Sequence, residues 1–201
     1  RIERYFDVTE AVNVLGGAEW RYDDVVNVGV DHTERRLLVA PIAINSLKEG
    51  SLSPYLEGNW NPVKPLRLTA GLRGDLYSFN VKAKNAGANS GDDTASKISA
   101  KMGGAYQIAD WLEAYANWGQ GLHSNDARGV VSKATPVPGL VRGSGWEGGL
   151  RFQEGGFTAT AAYWWLRVDS ELKFVGDSNS VEPTGKSARD GLELTMFRRP
   201  Y

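Results

Sequence analysis

An all-β fold, an antiparallel up-and-down meander of about nine long strands, is what this sequence predicts, and three observations predict it. Stretches of ten or more residues alternate apolar and polar side chains, most clearly in Leu66–Tyr77. There Leu66, Leu68, Ala70, Leu72, Gly74 and Leu76 oppose Arg67, Thr69, Gly71, Arg73, Asp75 and Tyr77. Successive side chains of a strand point to opposite faces, so one surface is apolar and the other carries charge. Short turns then alternate strictly with long polar connections, one of each every ~46–50 residues, a spacing to compare with repeat periods. Finally, 24 glycines with 7 Trp, 8 Tyr and 6 Phe suit a sheet-rich chain, and few helical patterns run far.

The totals narrow the function. Among 201 residues, 41% are hydrophobic and 23% charged, and the formal net charge is −1. With charge so nearly balanced and no Lys/Arg-rich run, a nucleic-acid partner is not expected. Cysteine is absent, which removes disulfides, thiolate metal sites and cysteine nucleophiles together. Arg1-Ile2-Glu3-Arg4 does not open a signal peptide. Ala159–Leu166, the longest apolar stretch, is too short for a membrane helix. Alternating barrel strands keep mean hydropathy low, so the value of −0.37 fits a soluble sheet and a membrane barrel alike.

Taken in order, Arg1–Thr9 reads as the end of a strand, Glu10–Asn13 as a turn, and Val14–Asp24 as a strand with Trp20 and Tyr22 opposite Glu19, Arg21 and Asp23. Val25–Glu49 reads as a long mixed connection. Ser51–Trp60 places Leu52, Leu56 and Trp60 opposite Ser53, Tyr55, Glu57 and Asn59. Asn61–Pro65 reads as a turn, because its prolines fix φ and withdraw ladder donors. The strand from Leu66 continues to Val81, and Lys82–Ser96 is a polar loop. Lys97–Tyr106 and Trp111–Leu122 flank a turn at Ile108–Asp110, and His123–Gly139 is a second polar loop. Val141–Phe152 turns at Glu154-Gly155-Gly156 into Phe157–Val175, whose phase stays open because Trp164 and Trp165 are neighbours. Gly176–Lys186 is a loop, and Arg189–Arg199 the last strand.

Strands of ~10–15 residues are long beside the five or six usual in globular sheets. Ten residues at ~3.3 Å rise, tilted ~40°, climb about 25 Å, the height of the apolar band of a membrane barrel. Short turns at one end and long loops at the other belong to the same architecture. Kelch-type propellers share the period but fit four short strands into each blade. A soluble sandwich would carry compact turns at both ends and stronger inward faces.

Several stretches resemble the TonB-dependent receptors, the active importers of Gram-negative outer membranes. They are A-G-L-R-G-D within Leu66–Asp75, L-E-A-Y-A-N-W-G at Leu112–Gly119, and G-L-H-S-N-D-A-R-G at Gly121–Gly129. W-E-G-G-L-R at Trp146–Arg151, D-S-E-L-K-F-V-G-D at Asp169–Asp177 and R-D-G-L-E-L at Arg189–Leu194 follow in order. The resemblance covers most of the chain. It implies part of a 22-stranded transmembrane barrel in the cell outer membrane, energised import of a scarce solute such as a ferric siderophore or cobalamin, and no enzymatic activity or cofactor. The implied partners are outer-membrane lipid, a plug domain of the same parent chain, the TonB complex and the small-molecule solute. Residues 1–201 are then expected to be an internal piece of the barrel domain, without plug or C-terminal strands, and Pro200 would interrupt a closing strand. A soluble all-β binding module and a passive porin-type channel are the alternatives.

Site chemistry is sparse. His32 and His123 lack metal-ligand spacing. His123, Ser124 and Asp126 have triad residue types without a nucleophile elbow. Asn89–Asp93 and Gly176–Asn179 do not match a calcium loop. Gly143-Ser144-Gly145 is not a phosphate loop. Family ligands are met by loops and the upper interior, so His123, Asp126, Arg128, Arg35 and Arg36 are the ligand-binding candidates. Arg67, Arg73, Asp75, Glu113, Glu147, Arg151 and Glu193 fall on the polar parity as barrel-interior charges, either paired across strands or docking a plug or solute. Trp60, Phe152 and Phe157 near the turns, with Trp20, Tyr22 and Trp118 near the loops, mark two aromatic girdles, while Trp111 falls on the polar parity. Leu68 is placed at mid-bilayer.

Overall fold

A computed structural model describes residues 1–170, 172–175, 180–183 and 185–199. Nine strands form the main sheet: β1 (Ile2–Thr9), β2 (Val12–Glu34), β3 (Leu37–Val63), β4 (Leu66–Ala83), β5 (Gly91–Ala109), β6 (Leu112–Ser124), β7 (Leu140–Glu154), β8 (Phe157–Val168) and β11 (Ser187–Arg198). Each pairs antiparallel with the next, so the expected meander is what forms. β9 (Leu172–Val175) and β10 (Ser180–Pro183) make a separate two-stranded ribbon between β8 and β11. One short helix, α1 (Ala127–Val130), lies between β6 and β7.

The strands are longer than the alternation alone suggests. β2 has 23 residues and β3 has 27, because the expected connection Val25–Glu49 is a continuous hairpin that turns only at Arg35-Arg36. Both arginines have positive φ, 49° and 69°, the conformation a two-residue turn demands. Arg-Arg is not a turn signal, and the bulges near Val25–Val28 and Asp31–Thr33 break the alternation that would have revealed strands. β3 likewise runs through Asn61 and Pro62, with the proline in an irregularity between Trp60 and Val63. Only Lys64-Pro65 turns. The stretch Phe157–Val175 is two strands, β8 and β9, not one. Gly176–Asn179 and Pro200 lie outside the described residues.

Register carries the facial pattern from strand to strand. Gly16, Leu56, Leu72 and Ala100 are successive partners, and so are Gly17, Tyr55, Arg73 and Ser99. The open phase of β8 is decided by pairing: Trp165 partners Trp146 on the leucine face, and Trp164 partners Glu147 on the charged face. Trp111 belongs to the turn before β6, where strand parity does not apply. Its ring folds to 5.6 Å from Phe152, itself 5.9 Å from Phe157, which joins it to the aromatic level near the short turns. Leu68 partners Trp60 at that same level, so it stands at a rim and Leu72 stands midway up the strand.

Burial is inverted relative to a globular protein. The leucine face lies open, with Leu72 60%, Trp20 71% and Leu192 79% exposed. So wide an apolar surface calls for an apolar neighbour. The hydrophobic cluster, Phe79, Val81, Ala127, Val130, Val131 and Val137, lies on the other side, where the β6–β7 connection folds over β4.

Candidate functional site

The charged face carries a ladder of side-chain pairs. At its lower end Glu113 accepts from Arg67 at 3.4 Å and from Arg151 at 2.6 Å, and the Arg151 guanidinium stands 4.9 Å over the Tyr115 ring. Lys101 pairs with Glu57. Halfway up, Arg73 donates through Nε to Asp75 at 2.9 Å and through Nη1 to Glu19 at 2.7 Å. Asp75 is fully buried, and its Oδ2, like Ser99 Oγ, has no hydrogen-bond partner among the described residues.

Glycine makes room for these side chains. A Cβ at Gly149 would stand 2.5 Å from the Ala161 carbonyl and 2.9 Å from the Tyr115 hydroxyl. Tyr115 is the cross-strand partner of Gly149, so the ring lies across bare backbone. Tyr55 over Gly17 and Trp164 over Gly191 repeat the arrangement. Covering a glycine with a cross-strand aromatic ring removes exposed backbone from water and pins register.

At the upper end the β6–β7 connection is docked rather than free. Phe79 and Val81 face it from β4, and Gly139 sits so close that a Cβ there would be 2.8 Å from Ala95 and 2.9 Å from Phe79. Asp126 caps α1, accepting from the Arg128 amide at 2.8 Å and from its guanidinium at 2.9 and 2.5 Å. Burial alone would raise the Asp126 carboxyl, but the guanidinium and amide of Arg128 outweigh it and hold the group below its ordinary value. The Asp126 hydrogen bond raises Arg128 in turn, against its own burial. Three asparagines stitch the loops: Asn45 donates to the Asn89 carbonyl at 2.8 Å, Asn89 to the Arg128 carbonyl at 2.9 Å, and Asn125 to the Pro138 carbonyl at 2.7 Å.

Of the ligand candidates, the structure brings Asp126 and Arg128 together, but as each other's partner within the cap. His123 is exposed at the end of β6, opposite Val141. Arg35 and Arg36 stand apart from these, exposed at the tip of the β2–β3 hairpin. Arg67, Arg73, Asp75, Glu113, Glu147, Arg151 and Glu193 all share the face opposite the leucines by register. Sequence reasoning missed Asn45 and Asn125, and weighed Asn89 only as part of a calcium loop. Their one signal is polarity in otherwise ordinary loop and strand positions, which does not reveal a buried amide. Among the described residues, no group of three or more His, Asp or Glu is placed to hold a metal ion.

Residues 3–199 match the family described as TonB dependent receptor-like, beta-barrel. The chain belongs to that family, whose members are outer-membrane receptors of Gram-negative bacteria and not enzymes. Its backbone is similar to the FrpB iron transporter of Neisseria meningitidis (F3-3 variant), with TM-score 0.70 and 16% identity over 99% of this chain and 32% of that one. It is also similar to the ferric yersiniabactin uptake receptor FyuA of Yersinia pestis, with TM-score 0.71 and 15% identity over 96% of this chain and 31% of that one. The copper transporter OprC matches with TM-score 0.71 and 15% identity, over 96% of this chain and 33% of OprC. At such identities the likeness concerns the fold. The chain spans about a third of the length of these structures. No curated protein matches it in sequence.

Proposed function

We propose that residues 1–201 are nine strands of a longer outer-membrane receptor that imports a scarce solute with TonB-coupled energy. The plug domain and remaining strands of the parent would lie outside these residues, in keeping with the third of a receptor that the chain spans. The carrying observation is the opposition of faces: exposed leucines on one side, and on the other a charge ladder roofed by the docked β6–β7 connection. In a closed barrel that arrangement sets the leucines against lipid and the charges toward a wet interior.

The interior charges are mostly spent on one another. Arg67, Glu113 and Arg151 form one group, and Arg73, Asp75 and Glu19 another, so their first role is to hold strands in register. Glu147, hydrogen-bonded to Tyr115, and Glu193, which accepts from Thr195 at 3.4 Å, are the interior carboxylates proposed to meet a plug, whereas Asp75 is too deeply buried to reach one. His123, Arg35 and Arg36 are the exposed loop positions left to meet a solute, and arginine's planar fork suits carboxylate or phosphate groups. A ferric siderophore or cobalamin is the proposed class of solute, and the iron and copper transporters among similar structures favour a metal-bearing one.

Deleting the parent gene should abolish uptake of one such solute, and removing TonB should abolish it equally. Uptake that persists without TonB would point to a passive channel. A parent that stays soluble without detergent would point to a binding module.

A further inference from the structure

Three consecutive rows on the leucine face of β2–β5 change character step by step. The first row, Trp20, Leu52, Leu76 and Ser96, is mainly apolar. One step higher come Tyr22, Gly50, Ser78 and Thr94, a row of hydroxyls around a glycine. The third, Asp24, Lys48, Asn80 and Asp92, is charged or amide-bearing, with Lys48 paired to Asp24 at 3.4 Å. Rows two residues apart are separated by about 6.8 Å along the strand, so hydrocarbon chemistry gives way to water chemistry within ~14 Å.

The middle row is not flat. Trp20 and Tyr22 stack with ring centroids 6.5 Å apart and stand as a wall. Gly50 beside them forms the floor, where a Cβ would meet Ser78 Oγ at 3.0 Å. Ser78, Thr94 and Ser96 make the opposite side of an open notch of about 570 Å³. That volume lies within the ~300–1,000 Å³ of small-molecule clefts.

The occupant follows from the lining. An aromatic wall facing three aliphatic hydroxyls, with leucines below, fits a ring that has an apolar face, a hydroxylated rim and an attached hydrocarbon chain. The charged row above has two carboxylates and one ammonium, so it does not attract a phosphate. We propose that this notch seats the sugar ring of an outer-leaflet glycolipid, with its acyl chain running down over Leu52 and Leu76. The proposal rests on the reading of the leucine face as the lipid-facing side of a barrel.

The test uses the whole parent receptor in nanodiscs containing either a glucosamine-based acylated glycolipid in phosphatidylethanolamine or phosphatidylethanolamine alone. Glycolipid retained after detergent exchange is counted by mass spectrometry. Wild type should retain glycolipid, and Gly50→Leu, which fills the floor, should retain at least tenfold less. Leu192→Ala, on the same face but far along the sheet, should retain as much as wild type. Heat-modifiable migration of every variant reports barrel assembly separately, so a failed barrel reading is distinguishable from an empty notch. Equal retention by wild type and Gly50→Leu, in barrels that assemble, would overturn the proposal. So would displacement of the glycolipid by an equal amount of phosphatidylethanolamine.

Discussion

Single atoms decide much of the charged face. At Gly149 the obstacle to a side chain is the Ala161 carbonyl, which cannot swing away without breaking the ladder. At Gly103 it is the tip of Asn117, 2.3 Å from a would-be Cβ, and a rotatable amide can yield. Asp126 carries a testable pH dependence. Its folded value lies below its unfolded one, so its contribution is fully present above about pH 4, the ordinary aspartate value. It is lost as pH falls through the depressed folded value. Asp126→Ala should remove the cap at a local cost of about 0.5–2 kcal/mol. Amide exchange at Arg128–Val131 would then quicken at neutral pH. Asp126→Asn should keep the cap and abolish the acid-induced loosening, and unchanged acid sensitivity in that variant would exclude Asp126 as its source.

The elements show where alternation is a sound guide and where it fails. β4 to β7 were legible because their faces differ in chemistry along most of their length, although β5 begins at Gly91 inside the expected loop Lys82–Ser96, and the phase of β8 stayed open. The upper halves of β2 and β3 were not, since bulges scramble parity there and Arg35-Arg36 turns without glycine or asparagine. The β6–β7 connection was legible only as a polar loop. Its valines, Val130, Val131 and Val137, find Phe79 and Val81 on a strand some fifty residues earlier. Phe79→Ala should therefore release this connection, at the ~3–5 kcal/mol typical of emptying a buried aromatic site. Lys133, exposed at its tip, supplies the readout: trypsin should cut there faster in the variant while the strands stay protected. No change in cleavage rate would mean that the cluster does not hold the loop.

For the molecule as a whole, the controlling fact is that one face of a nine-stranded sheet is apolar and uncovered. Height on that face sets the cost of a charge. Leu72, midway between the turns and the Trp20 level, should tolerate arginine poorly, at about 2–4 kcal/mol. Leu68, level with Trp60, should lose only ~0–1 kcal/mol on the same change. Both variants of the parent receptor can be compared by urea titration of refolded barrels in lipid. Equal destabilisation would contradict the assigned depth.

By itself, the sequence determined the fold class, the number of long strands, the face each strand from Leu66 to Leu150 turns outward, and the family. All of these follow from local alternation and short motifs, which the backbone reads residue by residue. Only the tertiary structure decided how far β2 and β3 extend, which of Trp164 and Trp165 joins the charged face, and that Asp126 and Arg128 spend their charges on each other. The first two depend on cross-strand register, which no local pattern encodes; the third is a contact between residues two apart, fixed by the cap of α1.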